Sequence, residues 1–224
     1  MALARGQVLR KYEKELVIWV SPKDINYYVG KNTPLIGSTN KLLKKFNRMR
    51  LFTQGLIDFY TPFVIEERIY EEPKHVAGLQ KYRYVKDLIE NIPNYQSSQW
   101  YRRHAEEIRL RGRTEHKQLM IKSIDELNKF FEEYVLDLVF SMKENGYDIN
   151  KGQQVGYVTI GSNGEIHKSN AGDHRFIVAK LLGTEAMPFR VKGVHEGWLK
   201  KQGLGSRLGD VPQIIKRIHE LGKC

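Results

Sequence analysis

Gly164-Glu165-Ile166-His167-Lys168-Ser169-Asn170-Ala171-Gly172-Asp173-His174-Arg175-Phe176-Ile177-Val178-Ala179-Lys180-Leu181-Leu182-Gly183 is the stretch that decides the fold. Glu165–Lys168 reads as a strand, and a helix follows from about His174 to Leu182. Phe176, Ile177, Ala179, Leu181 and Leu182 are available for packing, and Gly183 closes the helix. Upstream, Gly156–Ile160 is a β-branched strand, and Gly161-Ser162-Asn163-Gly164 is a hairpin signal joining it to the Glu165 strand. Downstream, Met187-Pro188-Phe189-Arg190-Val191 is a further strand. Before the hairpin, Ser123 with Glu126 three residues on forms a capping box. It opens a helix whose stripe runs Ile124, Leu127, Phe131, Leu138 and Met142, and Asn145-Gly146 ends that helix. The order helix, hairpin, helix, strand predicts a mixed layer of class α/β (α+β), a small mixed sheet with flanking helices.

Outside this core the signals are weaker. Leu16–Val20 is a short apolar run ending at Ser21-Pro22 and suits a buried strand. Thr39–Arg50 has Leu42, Leu43 and Phe46 on one face and lysines opposite, an amphipathic helix. Val85–Ile92, stopped by Pro93, and Tyr101–Arg111, ended by Gly112, are two more helices, and Val211–Leu221 is a short one near the end. The expected organisation is a mainly helical extension over 1–123, the core over 124–198 and a helical tail over 199–224.

The net charge of +11 favours polyanionic partners such as nucleic acid, nucleotides or phosphorylated substrates. Basic residues gather at Lys41–Arg50 and at Arg102–Lys117, runs that equally suit solvated helix faces. Cys224 is the only cysteine, which rules out an intramolecular disulfide and disfavours a cysteine metal site or redox chemistry. No apolar run approaches the ~18 residues of a membrane span, and the first residues lack the apolar segment of a signal peptide. A cytoplasmic protein without a membrane span is expected. There is no HExxH, CxxC or Walker loop, so zinc hydrolysis and P-loop chemistry find no support.

The turn Ser169–Arg175 carries the chemistry. The first N–H groups of a helix have no internal acceptor and carry partial positive charge, so they favour an anion. Gly172 lets backbone approach a phosphate closely, and Arg175 supplies a planar guanidinium fork. His174 is a further donor or a proton shuttle. Asp173 suits such a place if it holds Mg2+, polarises a hydroxyl or orients the histidine. The plainer alternative is that Asp173 caps the helix while His174 and Arg175 lie in solvent.

This stretch, with Met187–Val191, resembles the nucleotide-binding core of the ParB/sulfiredoxin-like superfamily, whose ParB members read Ala-Gly-Glu-Arg-Arg at the same turn. Ser141-Met142-Lys143-Glu144-Asn145-Gly146 resembles the ParB helix preceding the first core strand, so the likeness covers roughly 75 residues. The resemblance implies a nucleoside triphosphate (ATP or CTP) with Mg2+, its phosphates on Asn170, Gly172, His174 and Arg175, and on Arg113, where ParB proteins carry an arginine near the nucleotide. Asp173 stands at the ParB glutamate position and at the reactive cysteine position of sulfiredoxin, so sulfiredoxin activity is not expected. Kinase-like members have an aspartate where this chain has Ala171, which leaves Asp173, or Glu165 behind it, as the acid that activates an acceptor and Asp173 as the metal contact. Val194-His195-Glu196-Gly197-Trp198 resembles an Arg-His-x-x-Trp segment of an uncharacterised branch, without its arginine. His195 and Trp198 are therefore substrate-side candidates, Trp198 equally a residue closing the core edge.

Three activities follow as expectations. The first is a nucleotide-dependent phosphotransferase, kinase or NTPase acting on an acceptor that the sequence does not identify. The second is a ParB-like DNA-binding protein using nucleotide as a switch; only about 25 residues follow Trp198, where ParB chains place a helix-turn-helix domain. The third is a ParB-related nuclease, for which Asp173 with Glu165 is too sparse a carboxylate set.

Overall fold

The computed structural model describes residues 3–30, 61–116, 119–148 and 155–222. The helix expected at Thr39–Arg50 lies outside the described residues. The chain is of mixed α/β class and divides into two compact units, both discontinuous in sequence. The sheet unit takes the described residues of Met1–His75, Gln154–Gly172 and Ala186–Cys224; the helical unit takes those of Val76–Gln153 and Asp173–Glu185. Residues 124–198 thus supply both units.

The sheet unit is built on strands β1 (Val17–Val20), β2 (Tyr27–Tyr28), β3 (Val64–Ile65), β4 (Lys74–His75), β7 (Gly156–Ile160), β8 (Ile166–Lys168) and β9 (Met187–His195). Its order is β1-β9-β7-β8-β2-β4, with β3 also on β9. β7 and β8 form the expected antiparallel hairpin, pairing Thr159 with His167. β9 lies parallel to β7, Val158 beside Val191. It runs nine residues, past the expected end at Val191, because it serves two neighbours in succession. Antiparallel β1 pairs with Arg190 through Met187, and parallel β3 pairs with Val194 and His195. Val158, Ile160, Phe189, Val191 and Val194 are buried, as the inner strands of a covered sheet require, and so is Phe63 just before β3. Helices α1 (Arg5–Tyr12), α7 (Glu196–Lys201) and α8 (Val211–Leu221) complete the unit. α8 buries Val211, Ile214, Ile215 and Ile218, a helical stripe on one face.

The helical unit contains α2 (Gln80–Glu90), α3 (Gln99–Arg111), α4 (Ile124–Phe130), α5 (Asp137–Asn145), α6 (Asp173–Leu182) and the small antiparallel pair β5 (Thr114–His116) and β6 (Leu119–Ile121). Ser123 Oγ accepts from Glu126 N at 3.1 Å, as a cap should, while Glu126 returns its bond to Lys122 N at 2.7 Å. Between α4 and α5 a π-helical segment, Phe131–Leu136, widens the helix by part of a turn. The buried stripe runs Leu127, Phe131, Val135, Val139 and Met142; past the inserted residue Leu138 is only half-buried, and Ile124, at the exposed first position of the helix, lies outside the stripe, contrary to the even spacing expected. Among the described residues no helix is long and apolar enough to cross a membrane.

Candidate functional site

The turn after β8 is built from inside the sheet unit. Lys168, the last residue of β8, is fully buried, and its ammonium donates to the carbonyl oxygens of Ser169 and of Ala171, the latter at 2.6 Å. The strand is pinned by Val29 N donating to Lys168 O and Ser169 N donating to Tyr157 O, both at 2.8 Å. The Tyr28 hydroxyl donates to Asn170 Oδ1 at 2.9 Å. Ala171 and Gly172 then adopt left-handed φ of 72° and 71°. A Cβ on Gly172 would stand 3.0 Å from the Gly156 Cα, so glycine is required by contact as well as by conformation.

From Asp173 the chain is α6 of the helical unit. The Asp173 carboxylate accepts from Lys81 Nζ at 2.7 Å, a half-exposed pair that neutralises the acid at the helix start. His174 is buried and stacks on Trp100, with ring centroids 5.2 Å apart and planes at 21°; His116 lies 5.2 Å from it. Arg175 is half-buried, and its charge acts on the Tyr147 hydroxyl.

Beneath Trp100 runs a directed chain of hydrogen bonds. An indole N–H can only donate, so Trp100 Nε1, 3.0 Å from His104 Nε2, fixes that nitrogen as acceptor. His104 Nδ1 then donates to Thr114 Oγ1 at 2.6 Å, and Thr114 donates to Glu107. Burial holds His104 below the ordinary imidazole value, against the opposing pull of Glu107. The 3.9 Å between His104 and Glu107 is therefore no ion pair at neutral pH.

A second polar group lies in the sheet unit. His167 Nδ1 is 2.8 Å from the Tyr70 hydroxyl, and the Tyr70 ring also packs on His195 at 4.7 Å. His195 Nδ1 accepts from Gly197 N at 3.0 Å, capping α7, and its Nε2 faces Glu67 at 3.2 Å. Glu165 accepts from Asn163 N and Nδ2; burial works to raise its pKa, but these donors together leave it below the usual carboxylate value. Burial is also the chief cause that lowers His167, with His195 adding to it and Glu165 opposing.

Both depressed histidines give a pH dependence of one sign. The unfolded chain protonates them near pH 6.5 while the folded chain does so lower, so unfolding takes up protons below that value. Stability present above about pH 6.5 is lost as the pH falls toward the folded values. Thermal melts are expected to show a lower Tm at pH 5 than at pH 7, and a flatter profile when His104→Gln and His167→Gln are combined. A Tm that holds steady or rises over that interval rejects the account.

The structure thus distributes the residues singled out from the sequence. Glu165, Asn170, Gly172, His195 and Trp198 belong to the sheet unit, where Glu165 and His195 both act on His167. Trp198 is buried with its indole against Gly164 of the hairpin. Asp173, His174, Arg175 and Arg113 belong to the helical unit, and Arg113 is exposed just after the left-handed Gly112. Nothing in the sequence marks Lys81, Lys168, His167 or Tyr28 as site residues, and Trp100 stands out there only as one of an aromatic pair with Tyr101. Lys81 and Trp100 are too remote in sequence for any spacing to signal them; β8 hints only at burial for His167 and Lys168, since a covered strand turns both faces inward. Among the described residues no group of three His, Cys, Asp or Glu side chains is placed to hold a metal ion, and Asp173 is engaged by Lys81. Compared with known proteins, the chain matches no family model, no curated protein and no solved structure.

Proposed function

We propose that the chain binds a nucleoside triphosphate, ATP or CTP, with its phosphates at the Gly172–Arg175 turn, and transfers or hydrolyses the terminal phosphoryl group. The observation that carries this reading is the backbone there: two successive left-handed residues, Ala171 and Gly172, lead straight into the ten-residue helix α6. The first amides of a helix have no acceptor within it, and such a terminus suits phosphate oxygens. Arg175 lies in that turn, and Lys81 offsets the one acid in it. The likeness of the turn to the ParB/sulfiredoxin-like pattern supports the same reading. His174 is buried with its ring stacked on Trp100 and the His116 ring beside both. Mg2+ fits this set as a passenger on the phosphate oxygens rather than as an ion caged by protein carboxylates. Asp173 is the residue to accept a proton from the acceptor, once Lys81 is drawn to phosphate.

A thermal-shift panel of ATP, CTP and GTP with Mg2+ tests the reading. The cognate nucleotide should raise Tm by mass action, by about 2.7 kcal/mol of stability at a hundredfold excess over Kd. Arg175→Ala should lose that gain. Asp173→Asn should keep it, with turnover abolished. If no nucleotide shifts the melt, the proposal fails.

One observation favours a second reading, a nucleic-acid-binding protein switched by nucleotide. Nearly all of the +11 charge falls on the segments of the sheet unit, while the helical unit is close to neutral. Steeply salt-dependent retardation of duplex DNA would support this reading, and no retardation at low salt would remove it.

A further inference from the structure

Resting on the phosphate reading of the turn, we infer that Lys168 is its positioning residue: the buried ammonium draws two carbonyls inward and so turns the Asn170 and Gly172 N–H groups the other way, as a two-point cradle for a phosphoryl oxygen.

The argument is one of peptide geometry. Lys168 Nζ binds the carbonyl oxygens of Ser169 and Ala171. The described chain contains no cis peptide bond. In a trans peptide the C=O and the N–H of the same plane point in opposite directions. The plane that carries the Ser169 carbonyl carries the Asn170 N–H, and the plane of the Ala171 carbonyl carries the Gly172 N–H. Both amides therefore face away from the ammonium, two residues apart along one turn.

The hydrogen bonds around the turn leave these two groups free. Lys168 O, Ser169 N and the Asn170 side chain all have partners within the sheet unit. The backbone N–H groups of Asn170 and Gly172 have none among the described residues. Asn170 and Gly172 are half-exposed residues beside the buried charge. Burying an ammonium carries a desolvation cost that an apolar side chain of the same length would not. A turn that must present amides to an anion uses that charge: the ammonium holds the carbonyls in, and polarises each peptide so that its N–H end is the better donor. Left-handed φ at Ala171 is the backbone consequence, an uphill conformation for a residue with a Cβ, held in place by the bond from Lys168.

The experiment is a titration of the 15N-labelled full chain with pyrophosphate, and separately with ATP and Mg2+, followed by 1H–15N correlation spectra. The Asn170 and Gly172 amide protons should move downfield with saturation. In Lys168→Met, which keeps the stem and removes the charge, those two shifts should vanish and the affinity should fall at least tenfold. Lys168→Arg should recover part of it. If amides of α6 respond while Asn170 and Gly172 do not, the phosphate reading stands and the role of Lys168 is overturned. Unchanged affinity and unchanged shifts in Lys168→Met overturn it too. Silence throughout residues 169–177 sinks the phosphate reading itself. Should Lys168→Met fail to fold, the wild-type shifts alone decide.

Discussion

Phe131→Ala is expected to destabilise the helical unit by about 3–5 kcal/mol, the largest stability loss of any single truncation considered. Phe131 is fully buried and sits at the first residue of the π-helical segment. Its ring meets Trp100 at 5.4 Å, Tyr101 at 5.2 Å, Tyr95 at 6.0 Å and Phe130 at 5.4 Å, so four aromatic neighbours from two stretches of chain converge on it. Removing the ring forfeits its transfer energy and leaves a void lined by rigid side chains that collapse poorly. A loss of that size rivals the whole stability of an ordinary domain. Urea denaturation followed by far-ultraviolet circular dichroism would measure it, and Phe131→Leu should recover most of the loss. A cost under about 1 kcal/mol for the alanine variant would show that the cluster is loosely packed. Because Trp100 packs on Phe131 on one side and carries His174 on another, the same variant should also loosen the start of α6.

The sheet around β7, β8 and β9 could be read from the sequence because each of its boundaries is set by local chemistry. The Gly161–Gly164 turn, the β-branched run Gly156–Ile160 and Gly183 with φ of 74° act within a few residues, and the strands fall where they point. The Ser123 cap and the left-handed ends at Gly112 and Gly146 are of the same kind. The two-residue strands β2, β3 and β4 carry no such signal. They pair because β8 and β9 offer them edges, which is a property of the assembled sheet, so an extension expected to be mainly helical also brings strands to it. The π-helical segment was equally silent, since a hydrophobic stripe read at even spacing cannot show an inserted residue. At the site, Gly172 and the helix behind it were legible from spacing, and Lys81 was not, because its partner Asp173 stands 92 residues away. Lys168 was hidden for another reason: lysine is ordinarily a surface residue, and only the covered sheet around it turns the ammonium inward.

Gly172→Val is expected to disable the turn altogether, with a stability cost of about 2–5 kcal/mol and loss of any nucleotide-dependent rise in Tm. Two independent penalties add. A side chain at φ of 71° incurs about 1–2 kcal/mol of backbone strain, more for a β-branched residue. The new Cβ would also stand 3.0 Å from the Gly156 Cα, and backbone of a central strand cannot retreat as the end of a flexible side chain can. Overpacking of that kind costs about 1–3 kcal/mol. Gly156 has no room of its own to yield, because the Phe189 ring lies 3.1 Å from where its Cβ would be. The strain must then leave through the turn, rotating the Ala171–Gly172 peptide away from Lys168 and swinging the Gly172 N–H out of line. Gly172→Ala separates the two penalties: it keeps the contact and part of the strain without the β-branch, so its loss of stability should be the smaller. Its loss of nucleotide response should nevertheless be nearly as complete, since the amide moves in both variants. Calorimetric melts with and without nucleotide would measure both effects, and a Gly172→Val protein that melts like the wild type would mean the turn yields freely to a side chain there.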